Sequence, residues 1–356
     1  MKSEDVEKAK SAKGVRRSLL SWFFRNRRDD PWREKPTPYS IWIAEVMLQQ
    51  TVVKAVVPYF ARWMKEFPTI ARLAAAQEQK VLRAWEGLGY YSRARNLHRA
   101  AKQIVREHDG KLPAKYNELL RLPGIGEYTA AAIMSIALRQ PYPVVDANVR
   151  RVVQRLLAIR TLTPKNERQM REFLELAISP NEPGEFNEAI MELGQTVCRN
   201  RQALCGECPI RRYCRAEKMG IQSEIPAQKR RATRQRASIV MVIVSRGRIL
   251  LAENASGMFA GMFTLPKIVS GGSNEDAAIS EHLSKLGVGR FRVIGKLRGR
   301  KHLYTKYTDR LSPVMIRLAT PISVDTTKFR WVAMKDLEQF PMPAIHRKIV
   351  ADINGA

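Results

Sequence analysis

Four cysteines, and no others, fall inside one 17-residue window: Cys198, Cys205, Cys208 and Cys214. A secreted disulfide framework spreads its cysteines along the chain, so confinement to one window points to a metal centre instead. The spacing Cys-x6-Cys-x2-Cys-x5-Cys lets one loop wrap four thiolates around that centre. By spacing alone, tetrahedral zinc and an iron-sulfur cluster fit equally. Arg201, Arg211, Arg212 and Arg215 stand around the loop and bring positive charge for a phosphate.

That charge is general. The 356 residues hold 62 Lys and Arg against 34 Asp and Glu, a net +28. Spread through every segment, an excess of this size calls for a polyanionic partner, and nucleic acid leads. No apolar run nears the roughly 18 residues of a membrane span. The N-terminus, "MKSEDVEKAKSAKGVRR", mixes acids with bases and has no apolar core. Residues 1–18 therefore read as a basic solvated tail without a targeting signal, which suits a cytoplasmic protein.

From residue 19 to 220 apolar residues recur at helical intervals, as in "RNLHRAAKQIVREH" and "NVRRVVQRLLAI". Residues 221–236, ending in the basic stretch "AQKRRATRQR", read as a linker able to lie along phosphates. The period then changes. "ASIVMVIVS", "RGR" and "ILLAE" spell strand, tight turn and strand; "SNEDAAISEHLSKLG" spells a capped helix; "RFRVIGKLR" and "PVMIRLA" add strands. The fold class is a mainly α part followed by an α+β domain at 237–356.

Two acids have opposite surroundings. Glu45 sits in "SIWIAEVMLQQT" among Ile41, Trp42, Ile43, Ala44, Val46, Met47 and Leu48. Burial there should raise its pKa and keep a proton on it near neutral pH, unless an arginine pairs with it. Asp146, in "YPVVDANVRRVVQRL", precedes a helix starting near Ala147 and reads as its N-cap, stabilised as an anion by the dipole and amide donors. One carboxyl pushed up and one pushed down make a proton donor and a charge stabiliser, the pair that glycosidic cleavage needs. Between them, "LPGIGEYTAAAIMSIAL" reads as a stop at Pro123, a tight loop at Gly124 and Gly126, and a helix from about Glu127 whose free N–H groups can hold a phosphate.

Seven motifs in order carry a resemblance to the adenine DNA glycosylase (MutY) family of the endonuclease III, helix-hairpin-helix superfamily: "PWR", "AEVMLQQT", "GLGYYSRARNLHRAA", "LPGIGEYTA", "VDANVRRV", "FNEAIMELG" and the cysteine loop. The resemblance spans nearly the whole chain. It implies a 4Fe-4S cluster on the four cysteines, and base excision from double-stranded DNA holding adenine opposite 8-oxoguanine or guanine, by a monomer. Glu45 would protonate N7 of a flipped adenine, and Asp146 would stabilise the oxocarbenium ion or a covalent intermediate. Tyr128 and Asn148 would assist. Trp32, Arg33, Leu48 and Glu188 would line the adenine pocket; Gln50 and Tyr90 would enter the base stack. Tyr128 stands where the bifunctional branch carries a Schiff-base lysine, so strand cleavage is not expected.

Residues 237–356 resemble the Nudix-like lesion-recognition domain of that family. Magnesium hydrolysis is not expected, because Glu281 is accompanied by Ser284 and Lys285 where two further acids belong. Where the family shows Phe-Ser-His against 8-oxoguanine, this chain has Tyr304, Thr305 and Lys306. The triplet either still reads the lesion or joins Lys296, Arg298, Arg300 and Lys301 in general phosphate binding. Altered base choice (thymine or uracil opposite guanine) and a silent damage binder are the alternative functions.

Overall fold

The computed structural model describes residues 3–227, 234–270, 274–304 and 307–353. Two compact units result, one of Met1–Ala74 with Arg99–Arg230 and one of Ala75–His98 with Arg231–Ala356.

Helices build the first unit: α1 (Ser3–Asn26), α2 (Pro31–Glu34), α3 (Pro38–Leu48), α4 (Val53–Glu66) and α5 (Ile70–Ala75). In the second unit lie α6 (Glu78–Ala84) and the start of α7 (Ser92–Glu107), within which the division falls. The first unit continues with α8 (Tyr116–Leu119), α9 (Glu127–Ala132), α10 (Ala147–Leu157), α11 (Pro164–Ala177), α12 (Pro183–Thr196) and α13 (Arg215–Lys218). A capping box starts α3: Thr37 accepts from Ser40 N and Ser40 from Thr37 N, with Pro38 at the first helical position. Residues 39–47 of α3 are all buried, so α3 runs through the core rather than along its surface. After α9 the expected single helix to Leu138 widens into a π turn, Ile133–Ala137. There α12 presses in, because a Cβ on Gly184 would lie 2.8 Å from Ile136 Cα.

Residues 1–18 are not a solvated tail over their described length. α1 places Ala12, Val15, Leu19 and Phe23 in the core at helical spacing. Arg16 donates to the carbonyls of Leu176 and Ala177, satisfying the open C-terminal end of α11. The segment read as a linker also changes character: Ile225 is buried and 234–236 already belong to a strand, while 228–233 lie outside the described residues.

An eight-stranded sheet centres the second unit: β1 (Arg234–Ser245), β2 (Arg248–Glu253), β3 (Phe263–Thr264), β4 (Lys267–Ser270), β5 (Arg292–Lys296), β6 (Arg300–Leu303), β7 (Tyr307–Arg317) and β8 (Phe329–Ala333). Strand β1 pairs in parallel with β7 from Arg234↔Tyr307 to Val244↔Arg317, and antiparallel with β2 across the positive-φ turn Arg246-Gly247. Val240 and Val242 face a core shared with α15 (Ala344–Ile353); Ile239, Met241 and Ile243 face one shared with α14 (Glu275–Lys285). Covered on both faces, β1 reads as an unbroken apolar run. Asn274 caps α14, as the sequence suggests. Among the described residues no helix is long and apolar enough to cross a membrane.

Candidate active site and cysteine loop

Glu45 is 3% exposed, on the inner face of α3. Burial pushes its pKa up to about 7; Glu188 and Asp146 push the same way, while the hydroxyl of Tyr128 and the charge of Arg33 oppose. Tyr128, in the first turn of α9, donates its hydroxyl to Glu45 Oε2 at 2.5 Å. The expected protonated acid thus has its apolar cage and one hydrogen bond. Arg33, whose charge acts on Glu45, is committed elsewhere: Nε donates to Glu188 Oε1 at 2.8 Å and Nη2 to Glu192 Oε2 at 2.9 Å.

Asp146 is the N-cap of α10. Its Oδ1 accepts from Val149 N at 2.7 Å and its Oδ2 from Asn148 Nδ2 at 2.8 Å. Asn148 in turn accepts through Oδ1 from Arg151 Nη2 at 2.9 Å, and Arg151 Nε donates to the carbonyl of Cys198 at 2.8 Å. A chain of side chains therefore runs from the cap to the cysteine loop. Gly194 of α12 permits this closeness, since a Cβ there would fall 2.7 Å from Asn148 Cβ.

The other predicted residues divide. Trp32 is buried edge-on against Phe60, and Leu48 is half-buried at the end of α3. Gln50 is exposed at φ 59, just after α3. Gly124 takes φ 79 in the hairpin; Gly126 is an extended N-cap of α9 without a side-chain cap. Tyr90, in the second unit, is 43% exposed at φ 49. Tyr304 is only 6% exposed: its ring packs against His302 and Tyr307, and among the described residues its hydroxyl has no partner. Lesion reading or phosphate binding was the expectation for the triplet; the Tyr304 ring is part of the interior. Thr305 and Lys306 lie outside the described residues. Arg300 pairs with Asp352, Lys296 with Glu275 and Glu281 with Lys285.

Sequence reasoning missed four residues that hold this site. Glu192 is 2% exposed and shares Arg33 with Glu188. Asn187, fully buried, accepts from Val144 N and donates to Ser135 Oγ and the Tyr142 carbonyl, fixing the approach to Asp146. Arg151 and Arg155 point from α10 to the cysteine loop. An amide and an acid among Phe186, Ala189, Ile190 and Leu193 were the available signal.

All four cysteines line one open pocket, together with Arg155 and Gln222. Arg155 is 2% exposed; it donates to Cys198 Sγ at 3.3 Å and to the carbonyls of Arg199, Asn200 and Ile225. Burial pushes the Cys208 thiol up to about 12 and raises Cys205 and Cys214, with the neighbouring cysteines adding to each shift. Among the described residues no group of three or more His, Cys, Asp or Glu gathers tightly enough for a metal ion.

Residues 43–179 match the HhH-GPD superfamily of base excision DNA repair proteins, and residues 239–352 match the NUDIX domain. A helix-hairpin-helix repair protein with an appended Nudix-like domain is the class that fold and matches define. The chain belongs to the adenine DNA glycosylase family: it is 30% identical over 339 residues to the adenine DNA glycosylase of Buchnera aphidicola from Acyrthosiphon pisum, covering 93% of this chain and 95% of that one. It is 43% identical over 224 residues to the adenine DNA glycosylase of Rattus norvegicus, but spans only 43% of that protein's length. Among solved structures, a thermostable thymine-DNA glycosylase superposes with TM-score 0.56 at 25% identity, over 59% of this chain and 98% of that one. An endonuclease III-DNA complex shares the fold at TM-score 0.52 and 22% identity, over 62% of this chain and 99% of the other.

Proposed function

We propose that the chain is a monofunctional DNA glycosylase that hydrolyses the N-glycosidic bond of adenine opposite 8-oxoguanine or guanine in double-stranded DNA, as a monomer. The observation that carries this reading is the pair Glu45 and Asp146: a buried carboxyl held near a pKa of about 7, in the same site as a carboxylate bound by two N–H donors at a helix N-terminus.

Adenine flips out of the stack and enters between Trp32, Arg33, Leu48 and Glu188. Glu45 protonates N7, which turns the departing base into a neutral leaving group. Positive charge then grows at C1′, where Asp146 stabilises it, directly or through a transient bond. Water adds its hydroxide to C1′ and releases the remaining proton. Tyr128 orients Glu45, and Asn148 orients Asp146. Gln50 and Tyr90 fill the stack, Gly124 and Gly126 let a phosphate approach the backbone of the hairpin, and the C-terminal domain reads the orphaned base. With a tyrosine at 128, no amine is present there for a Schiff base, so the abasic strand stays intact.

The four cysteines would hold a 4Fe-4S cluster, the group that the family resemblance implies. They line one pocket, and Arg155 supplies a donor to sulfur. Bound there, the cluster would hold the loop against α10.

Single-turnover assays on duplexes with A opposite 8-oxoguanine, A opposite G, T opposite G and U opposite G test the reading. Free adenine from the first two, with no strand scission before alkali, is expected. Thymine or uracil release instead would move the chain to another substrate class, and no release of any base would leave a damage binder.

A further inference from the structure

Segment 75–98 falls inside the HhH-GPD match, yet it forms one compact unit with the C-terminal sheet domain. Its attachment is specific. Glu86, just past α6, accepts from Arg347 Nε at 2.7 Å and Nη2 at 3.0 Å, and from Met342 N at 3.2 Å. The same guanidinium donates to the carbonyls of Leu337 and Phe340, so its orientation is fixed from the domain side before it meets Glu86. Nine residues further on, Arg95 Nη1 donates to the carbonyl of Ala260 at 2.6 Å. Next to that carbonyl the surfaces touch so closely that a Cβ on Gly261 would lie 3.0 Å from Leu82 Cδ1.

These two ties bracket one turn. Gly87, Gly89 and Tyr90 have φ of 103, 71 and 49. A tyrosine in the left-handed region is strained and persists only where its surroundings impose it. Here Trp85 Nε1 donates to the Gly89 carbonyl, and Arg93 Nη2 donates to those of Leu88 and Gly89 while stacking over Trp85 and Tyr90. These bonds hold the turn, and its one exposed large side chain is Tyr90, at 43%.

We propose that Glu86 and Arg347 are positioning residues through which the C-terminal domain holds the Tyr90 turn, so that recognition of the orphaned base and insertion of the Tyr90 ring occur as one rigid body. This rests on the glycosylase reading above. Loss of the tie removes the domain's hold on the turn that carries Tyr90. Base flipping should then fail before chemistry does.

The experiment compares full-length wild type with Glu86→Ala, Arg347→Met and the double variant on an A opposite 8-oxoguanine duplex carrying 2-aminopurine beside the adenine. Stopped-flow fluorescence reads flipping, and single-turnover quench reads adenine release. Each single change should slow flipping about tenfold, and the double variant should be no slower than either, as coupled partners behave. Wild-type flipping rates in the single variants, or effects that multiply in the double, would overturn the proposal. Melting by circular dichroism verifies folding; if Glu86→Ala is unfolded, Glu86→Gln, which keeps an acceptor for Met342 N, is read in its place by the same criteria. Failure of wild type to release adenine would instead overturn the glycosylase reading, so the two failures are separate.

Discussion

At the scale of single residues, Glu45 carries a stability cost as well as a role. Its folded pKa of about 7 exceeds the ordinary 4.5, so between those values the folded state binds the extra proton. The stability contribution is complete below 4.5 and falls as pH rises through 7, by about 3 kcal/mol in all. Glu45→Gln removes that ionisation. Its melting temperature should exceed wild type at pH 8 and match it near pH 4.5; an equal difference at both would show that Glu45 is not protonated on folding. Both Glu45 and Asp146 were legible because their neighbours along the chain create their environments: an apolar helix for one, a cap position for the other. Glu192 was not, because its partner Arg33 lies 159 positions away. Tyr304 misled for the same reason, since sequence shows an aromatic but not which side of it is covered.

Among elements, α10 does two jobs. Its N-terminus holds Asp146, and its flank sends Arg151 and Arg155 to the cysteine loop. Arg155→Met would leave three carbonyls and a sulfur without their buried donor, at a cost of about 3 kcal/mol or more. Purified Arg155→Met should hold less iron per chain than wild type by metal analysis, and full iron content would separate Arg155 from the loop. Helices and strands were readable from their patterns, including the change from helical spacing to an unbroken apolar run near residue 237. The exception is α1, where Ala12, Val15, Leu19 and Phe23 keep a helical spacing that the surrounding charges obscured. The π turn at Ile133–Ala137 was invisible because it arises from α12 packing against it.

At the scale of the molecule, a net charge of +28 suits a polyanion held without sequence preference, and base-specific chemistry would have to come from a small buried site. The boundary near 237 separates helical from sheet sequence, but the compact units divide differently, with 75–98 joined to the sheet domain. Only side chains far apart in sequence, such as Glu86 and Arg347, reveal that division. The central claim, that a protonated Glu45 delivers the proton releasing adenine, is most directly tested by the pH dependence of single-turnover adenine release from an A opposite 8-oxoguanine duplex. A rate level below pH 7 that falls about tenfold per pH unit well above it, and is lost in Glu45→Gln with DNA binding intact, is the result expected. A Glu45→Gln variant that releases adenine at the wild-type rate would contradict it.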